Sequence, residues 1–574
     1  MRRLALLSLF ACACASSPAL APTPAPAPAR TPAPAAAPSP PECLSIVSWN
    51  DLHGQLDADH ALVDTTVIPV GGVVAVADEV ARVRASGDAV VVLDAGDLFT
   101  GPLESSIAEG APVITAYNAI GVDAAAIGNH EFDFGPVGYA RVTAAPNIGD
   151  EAGPDGPRGA LLARMGEARF PFVSANITRK DGKPLAWPHL SQSVQIARGG
   201  YHVGVVGYTT RETPTTTMKP NVADLDFTKN AGARVASAVR ALRAAGASPV
   251  VLLAHASIEG DLPESLDGSN DSNGDKRIGE IPDLLDAVGP DKPDLVIGGH
   301  RHAWMLGRVR GVPMVTSDQH GSGVAVSRFC RDGSGQPRLA SIVPVLTIAG
   351  QAPRTDLGRA VAGAIAPALA SVKAQAEEPV ATIAKTCLPQ ATDGTALSEQ
   401  IARGIAEHAP DALAPPKGVP VVGVMNSGGI RAPVRAGTMH FADLFAVSPF
   451  ENQVAVCATT KAGVLRALSN ATSRPSAKER FPFGIAGAKI TLERKPDSSL
   501  AVTKLTIDRA AKDDDPVWLA LPDFLLWGGD DFLAGVTCKE SAVSTLRLRD
   551  AWRGVIAKEG ACDGPPKNVV VERR

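Results

Sequence analysis

Five times in this chain a short apolar run gives way at once to side chains that can hold a metal. Ile46-Val47-Ser48-Trp49 leads into Asn50-Asp51-Leu52-His53-Gly54, and Ala89-Val90-Val91-Val92-Leu93 leads into Asp94-Ala95-Gly96-Asp97. Residues 122–127 lead into Gly128-Asn129-His130-Glu131-Phe132-Asp133-Phe134-Gly135, where Gly128 lets the chain turn sharply. Later, Val250-Val251-Leu252-Leu253-Ala254 ends in His255, and Leu295-Val296-Ile297 ends in Gly298-Gly299-His300-Arg301-His302. Such runs read as buried strands. In α/β folds the carboxyl ends of the strands share one rim, so these five clusters are expected to converge on a single site.

The ligand chemistry narrows what that site could hold. Asp and His with one Asn and no Cys suit a Zn, Mn or Fe centre rather than a closed structural zinc, which favours thiolates. Two metals about 3.5–4 Å apart can share a bridging carboxylate and clamp both oxygens in a phosphoryl transfer. Five of the eleven histidines (53, 130, 255, 300 and 302) fall in these clusters. A lone histidine would read as a core or surface residue; five in this arrangement do not.

The order Asp-x-His, Gly-Asp, Gly-Asn-His-Glu, His, Gly-His-x-His resembles the calcineurin-like metallophosphoesterases. The longer wording around Asn50, Asp94 and Gly128 is similar to the secreted 5′-nucleotidase and UDP-sugar hydrolase branch. The resemblance implies a layered α/β sandwich, two sheets flanked by helices, with a smaller α/β C-terminal domain. It implies one metal held by Asp51, His53, Asp97 and His302, and a second held by Asp97, Asn129, His255 and His300, with Asp97 bridging. The ions would be divalent: Zn, Mn, Co or an Fe/Zn pair. His130 and Asp133 would form the catalytic dyad, His130 stabilising charge on the phosphate and leaving oxygen while Asp133 orients its imidazole.

The chain has 574 residues, too many for one domain. With 55 basic and 60 acidic residues it offers no bulk field for nucleic acid, so an anionic substrate must be captured locally. Residues 1–17 pair Met1-Arg2-Arg3 with a short apolar stretch, a leader for export too short to span a bilayer. Cys12 or Cys14 resembles a bacterial lipoprotein processing site, which would anchor the chain in the periplasm or cell envelope; ordinary cleavage without an acyl chain is the alternative. Residues 18–42 are a Pro/Ala-rich linker that cannot bury a core and acts as a semi-rigid spacer.

From Cys43 to about residue 350 short apolar strands alternate with helical stretches such as 73–86 and 231–244, the pattern of a layered sheet with covering helices. The stretch Asp267-Gly-Ser-Asn-Asp-Ser-Asn-Gly-Asp275 with Glu280 superficially resembles a calcium loop, through Asp271, Asn273 and Glu280. Ser269 in the first ligand position favours an ordinary polar insertion instead. Residues 355–379 read as a connecting helix capped by Thr355 or Asp356, so the boundary between the catalytic domain and the C-terminal domain (381–574) falls at 351–380. Six cysteines remain after the leader (43, 330, 387, 457, 538 and 562) and could form three disulfides; Cys538 with Cys562 is the expected local pair.

In the C-terminal part, Asn426-Ser427-Gly428-Gly429-Ile430-Arg431, Val447-Ser448-Pro449-Phe450 and Phe524 to Phe532 combine Gly pairs, an Arg fork, aromatics and carboxylates. By composition alone each is a Gly-rich turn beside core aromatics. The family resemblance implies instead a nucleoside pocket: Phe450 and Phe524 stack a base, Asp530 holds ribose, and Asn426 and Arg431 contact the nucleotide. One departure stands out. The family opens this domain with an Arg shortly before a Gly-Asn-Leu helix start, whereas residues 386–397 around Gln390 hold no Arg. The resulting expectation is an exported dimetal phosphohydrolase acting on 5′-nucleotides, nucleotide sugars or cyclic nucleotides. Its rivals are a non-nucleotide phosphoesterase or sulfur-ester hydrolase of the same superfamily, and a nucleoside-binding surface lipoprotein without turnover.

Overall fold

The computed structural model describes residues 42–63, 66–138, 155–258, 279–350, 352–389, 391–474, 477 and 481–573. The leader with Cys12 and Cys14, residues 18–41 of the linker, the polar stretch 267–275 and Gln390 lie outside the described residues.

Two sheets form the N-terminal domain. The first runs in the order Pro337–Leu346, Gly323–Arg331, Cys43–Trp49, Ala89–Asp94, Ala124–Ala126, Phe172–Val173, Leu190–Ser191. The second runs Met305–Val309, Val312–Thr316, Leu295–Gly298, Val250–His255, Tyr201–Thr209, Ser193–Arg198. Their facing sides share one core, in which Leu44, Ile46, Val91 and Leu93 meet Val203, Val205, Val251 and Leu253. The outer face of the first sheet, with Val47 and Val92, is covered by helices Val73–Arg84 and Ala111–Ile120 through Val76, Val80, Val113 and Tyr117. Helices Ala231–Ala244 and Glu280–Val288 cover the second through Val235, Val239, Ile281 and Leu285. Strands buried on both faces must be apolar at nearly every position, which is why they stand out as unbroken runs in the sequence.

The strands that end in site residues run parallel within each sheet. Cys43–Trp49 pairs in parallel with Ala89–Asp94 and that strand with Ala124–Ala126; Val250–His255 does the same with Leu295–Gly298. Their carboxyl ends therefore share one edge. The run at 122–127 is strand over only three residues, Ala124–Ala126.

The connecting helix spans Asp356–Ala376 and is capped by Thr355, whose side chain accepts the Gly358 N–H. Val361 and Ile365 belong to the N-terminal core, while Val372 belongs to the core of the C-terminal domain. That domain has a five-stranded sheet in the order Phe483–Ala486, Val421–Asn426, Pro516–Pro522, Gln453–Thr460, Glu540–Arg547, with helices Ala396–Glu407 and Leu548–Glu559 on one face and Lys461–Thr472 on the other. Among the described residues no helix is long and apolar enough to cross a membrane.

The disulfides are Cys43–Cys330, Cys387–Cys562 and Cys457–Cys538, which overturns the expected Cys538–Cys562 pair. Cys538 stays with the sheet: the next residue's N–H binds the Ala458 carbonyl, beside Cys457. Cys562 comes after the helix Leu548–Glu559 and reaches Cys387 at the front of the domain. Proximity in sequence was the wrong guide because a strand and a helix intervene.

Glu280 is buried with its carboxylate fully engaged, accepting Tyr208 Oη, Thr210 Oγ1 and the Arg211 N–H, each at 2.6 Å. It anchors the exit of the Tyr201–Thr209 strand.

Candidate metal centre

Six of the seven residues expected as ligands meet at the shared edge, and the seventh, Asn129, precedes His130, whose N–H is bound by Asp97. Asp51, His53, Asp97 and His302 bring one ligand atom each within 4.8 Å of one another, and Asp97, His255 and His300 do the same. Asp97 belongs to both groups. Its Oδ2 lies 3.0 Å from His255 Nε2 and 3.8 Å from His53 Nε2; Asp51 Oδ1 lies 3.4 Å from His302 Nε2.

Backbone conformation makes this possible. Asp51, His53, Asp97, His300 and His302 all have positive φ, between 48° and 80°. Left-handed conformations at non-glycine residues cost about 1–3 kcal/mol each and persist where the surroundings impose them. Here they turn consecutive side chains off the strand ends toward one point.

Neighbouring groups fix each ligand. His53 Nδ1 faces the Thr100 carbonyl at 3.2 Å and His255 Nδ1 faces the Ala95 carbonyl at 2.9 Å. A carbonyl only accepts, so both rings carry their proton on Nδ1 and turn Nε2 to the centre. Asp51 accepts from Asn50 Nδ2 at 2.6 Å and from the His300 N–H at 2.9 Å. Asp97 Oδ1 accepts the His130 N–H at 2.8 Å, which leaves Oδ2.

Three buried atoms at this point make no hydrogen bond: Asp97 Oδ2, Asn129 Oδ1 and His255 Nε2. Although Asp97 Oδ2 and His255 Nε2 are close, their geometry is not that of a hydrogen bond. Buried polar atoms without partners are costly, and these three are of the kind that coordinate cations. The charge balance agrees. Burial opposes protonation of His255, yet Asp97 and Asp51 outweigh it and push the imidazole up to about 10. The cluster attracts positive charge, and two divalent cations fit its donor set.

The side chains of His130 and Asp133 meet. His130 Nδ1 lies 2.6 Å from Asp133 Oδ2, while Asp133 Oδ1 accepts from Thr217 Oγ1 at 2.8 Å. Burial opposes protonation of His130, but Asp133 and Asp97 outweigh it and raise the imidazole above its ordinary value.

The C-terminal domain brings Arg431 and Phe450 to the same place. Phe450 stacks on His130 with ring centroids 5.6 Å apart and planes at 27°. Arg431 Nη2 is 3.3 Å from His53 Nε2, and its guanidinium lies over the Phe450 ring. Asp530 accepts from Asn426 Nδ2 at 3.0 Å and is salt-bridged to Arg474. Phe524 lies against Gly529, so closely that a Cβ there would be 2.4 Å from its Cζ. In the 386–397 stretch that lacks an Arg, Cys387 is tied to Cys562 and Thr395 caps the helix Ala396–Glu407.

Sequence reasoning assigned no role to three residues that organise the centre. Asn50 also bonds the Ser317 carbonyl at 2.9 Å, tying the first cluster to the second sheet. Glu131 accepts four backbone N–H groups, from Gly128, Asp97, Leu98 and Phe99. Thr217 lies in a Thr-rich stretch with no recognisable wording, whereas Glu131 sits inside the motif itself.

Residues 44–304 match the calcineurin-like phosphoesterase family model, and residues 374–535 match the 5′-nucleotidase C-terminal domain model. The chain is similar to the endonuclease YhcR of Bacillus subtilis, 26% identical over 447 residues, 75% of this chain and 33% of that protein. It is similar to the 5′-nucleotidase of Bos taurus, 33% identical over 175 residues, 30% of this chain and 27% of that protein. The chain thus spans about a third of the length of the curated relatives it matches. A solved 5′-nucleotidase precursor from Thermus thermophilus shares the fold, with a TM-score of 0.72 at 20% identity, covering 92% of this chain and 99% of that one. With both models matched in order and the metal-capable cluster assembled, the chain carries a calcineurin-like phosphoesterase domain followed by a 5′-nucleotidase C-terminal domain.

Proposed function

We propose that this chain is an exported phosphohydrolase that removes phosphate from 5′-nucleotides at a centre of two divalent cations. Nucleotide sugars and 2′,3′-cyclic nucleotides are related substrates it would accept. The observation that carries the reading is the buried trio Asp97 Oδ2, Asn129 Oδ1 and His255 Nε2, which make no hydrogen bond at the centre where Asp97 joins two ligand sets, with Arg431 beside His53 and Phe450 on His130. Asp51, His53, Asp97 and His302 would hold one cation and Asp97, Asn129, His255 and His300 the other; Zn, Mn, Co or an Fe/Zn pair all suit this donor set. When bound, the cations supply charge neutralisation for the phosphoryl group and a water acidic enough to attack at neutral pH.

The chain's own residues do the rest. Asp133 holds His130 by Nδ1, so Nε2 faces the reacting group and gives its proton to the departing ribose oxygen as the P–O bond breaks. Arg431, on the metal side of the pocket, pairs with phosphate oxygens. Phe450 and Phe524 are the candidate walls for the base, with Asn426 and Asp530 for the ribose. Asp530 is shared with Arg474, which places a second guanidinium in a domain that lacks the Arg expected near Gln390.

Export is supported by the leader pattern at 1–17 and by three disulfides, which persist in oxidising compartments. A lipid anchor at Cys12 or Cys14 followed by the linker would hold the enzyme in the cell envelope. The test is phosphate release. Protein reloaded with Mn, Zn or Co should hydrolyse AMP, and His130→Ala should lose most of that activity while still binding two metals. Wild-type protein that holds two metals yet releases no phosphate from AMP or from a panel of nucleotide sugars and cyclic nucleotides contradicts the reading.

A further inference from the structure

The chain leaving the Tyr201–Thr209 strand runs directly beneath the dyad. It starts from the fixed point at Glu280, which grips Thr210 and the Arg211 N–H. Six residues on, the Thr216 carbonyl accepts Asn129 Nδ2 at 3.4 Å, and Thr217 Oγ1 donates to Asp133 Oδ1 at 2.8 Å. Asn221 Nδ2 then holds the Phe132 carbonyl at 2.7 Å. Thr217 is 1% exposed, so its hydroxyl meets Asp133 inside the protein rather than in bulk solvent.

A carboxylate bound at one oxygen can still swing about its Cβ–Cγ bond, and the imidazole paired with it swings too. Bound at both oxygens it cannot. Asp133 has Oδ2 on His130 and Oδ1 on Thr217, and its backbone carbonyl is also touched by Asn221 at 3.3 Å. We propose that Thr217 is a positioning residue for the reaction: its hydroxyl locks the Asp133 carboxylate so that His130 Nε2 stays aimed at the leaving oxygen. The Thr217 hydroxyl bonds Asp133 and acts through it. The inference rests on the reading of His130 as the proton donor.

The test compares Thr217→Val, which keeps the shape and removes the hydroxyl, with Thr217→Ser, which keeps the hydroxyl. Both are measured with wild type and His130→Ala on AMP and on p-nitrophenyl phosphate, with metal content and melting temperature recorded. The valine variant should lose about 10- to 100-fold in kcat on AMP, the range seen when a group's outer partner is removed, with KM within about twofold and two metals bound. On p-nitrophenyl phosphate, whose leaving group departs without a proton, the loss should shrink to under about fivefold. The serine variant should stay within about threefold of wild type on both esters; if the valine variant does not fold, a serine variant that loses tenfold or more overturns the proposal by itself. Full kcat in Thr217→Val on AMP, or an equal loss on both esters, also overturns it. Unchanged activity in His130→Ala would instead remove the proton-donor reading on which the inference stands, so the two failures are told apart.

Discussion

Arg431 of the C-terminal domain places Nη2 at 3.3 Å from Nε2 of His53, a ligand candidate of the N-terminal domain. Burial first, and then the neighbouring His302 and Arg431, hold His53 well below its ordinary value, as a neutral ligand. The same cation is where a phosphate would be met. Arg431→Ala should therefore leave metal content at two per chain and lower kcat/KM for AMP by about 10- to 100-fold, the worth of a charge-assisted hydrogen bond of about 1.5–3 kcal/mol. Arg431→Lys should recover only part, because a point charge does not reproduce the fork. Steady-state kinetics with elemental analysis checks both.

Glu131 accepts the N–H groups of Gly128 and Leu98 at 2.6 Å and of Asp97 at 3.0 Å. It shapes the loop that presents Asp97 at its strained φ of 57°. Glu131→Gln would turn an NH₂ group toward those donors and loosen the shared carboxylate. Metal affinity should fall about 10- to 100-fold, the usual cost of losing an outer partner, and competition with a chelator would measure it.

Asp523 is fully buried and pairs through Oδ1 with Asn452 Nδ2, while Oδ2 makes no hydrogen bond. Burial raises its carboxyl to about 6 from 3.8. A carboxyl raised on folding contributes its stability fully below the unfolded value and loses it as pH climbs through the folded one. Over that window wild type should lose about 3 kcal/mol at most from this group. Asp523→Asn, which mimics the protonated acid, should be more stable than wild type at pH 8 and lose that advantage below about pH 4. Denaturant unfolding at the two pH values gives the difference.

Cys43–Cys330 joins the ends of adjacent antiparallel strands at a sequence separation of 287. Replacing both by Ser should cost about 2–4 kcal/mol and lower the melting temperature without changing metal stoichiometry. Cys457–Cys538, closing a shorter loop, should matter less.

The sequence made the rim legible because each ligand cluster follows an apolar run, and such runs read as strands buried on both faces. The positive φ at His53, His300 and His302 was not legible, since histidine carries no signal for a left-handed backbone as glycine does. Thr217 was invisible for another reason: one hydroxyl among several threonines gains meaning only when Asp133, 84 residues earlier, comes to lie against it. The cysteine pairs failed on sequence distance, because a sheet places Cys538 beside a strand laid down 81 residues before it. By composition the Gly-rich stretches of the second domain read as turns and only the family resemblance pointed to a pocket; the structure sets Arg431 and Phe450 against His53 and His130.

The central claim is that Asp97 is shared between two cations. Crystals grown with Mn and measured for anomalous scattering test it most directly. The account predicts two peaks on either side of the Asp97 carboxylate, one beside Asp51, His53 and His302 and one beside Asn129, His255 and His300. A single peak, or peaks away from Asp97, would contradict it.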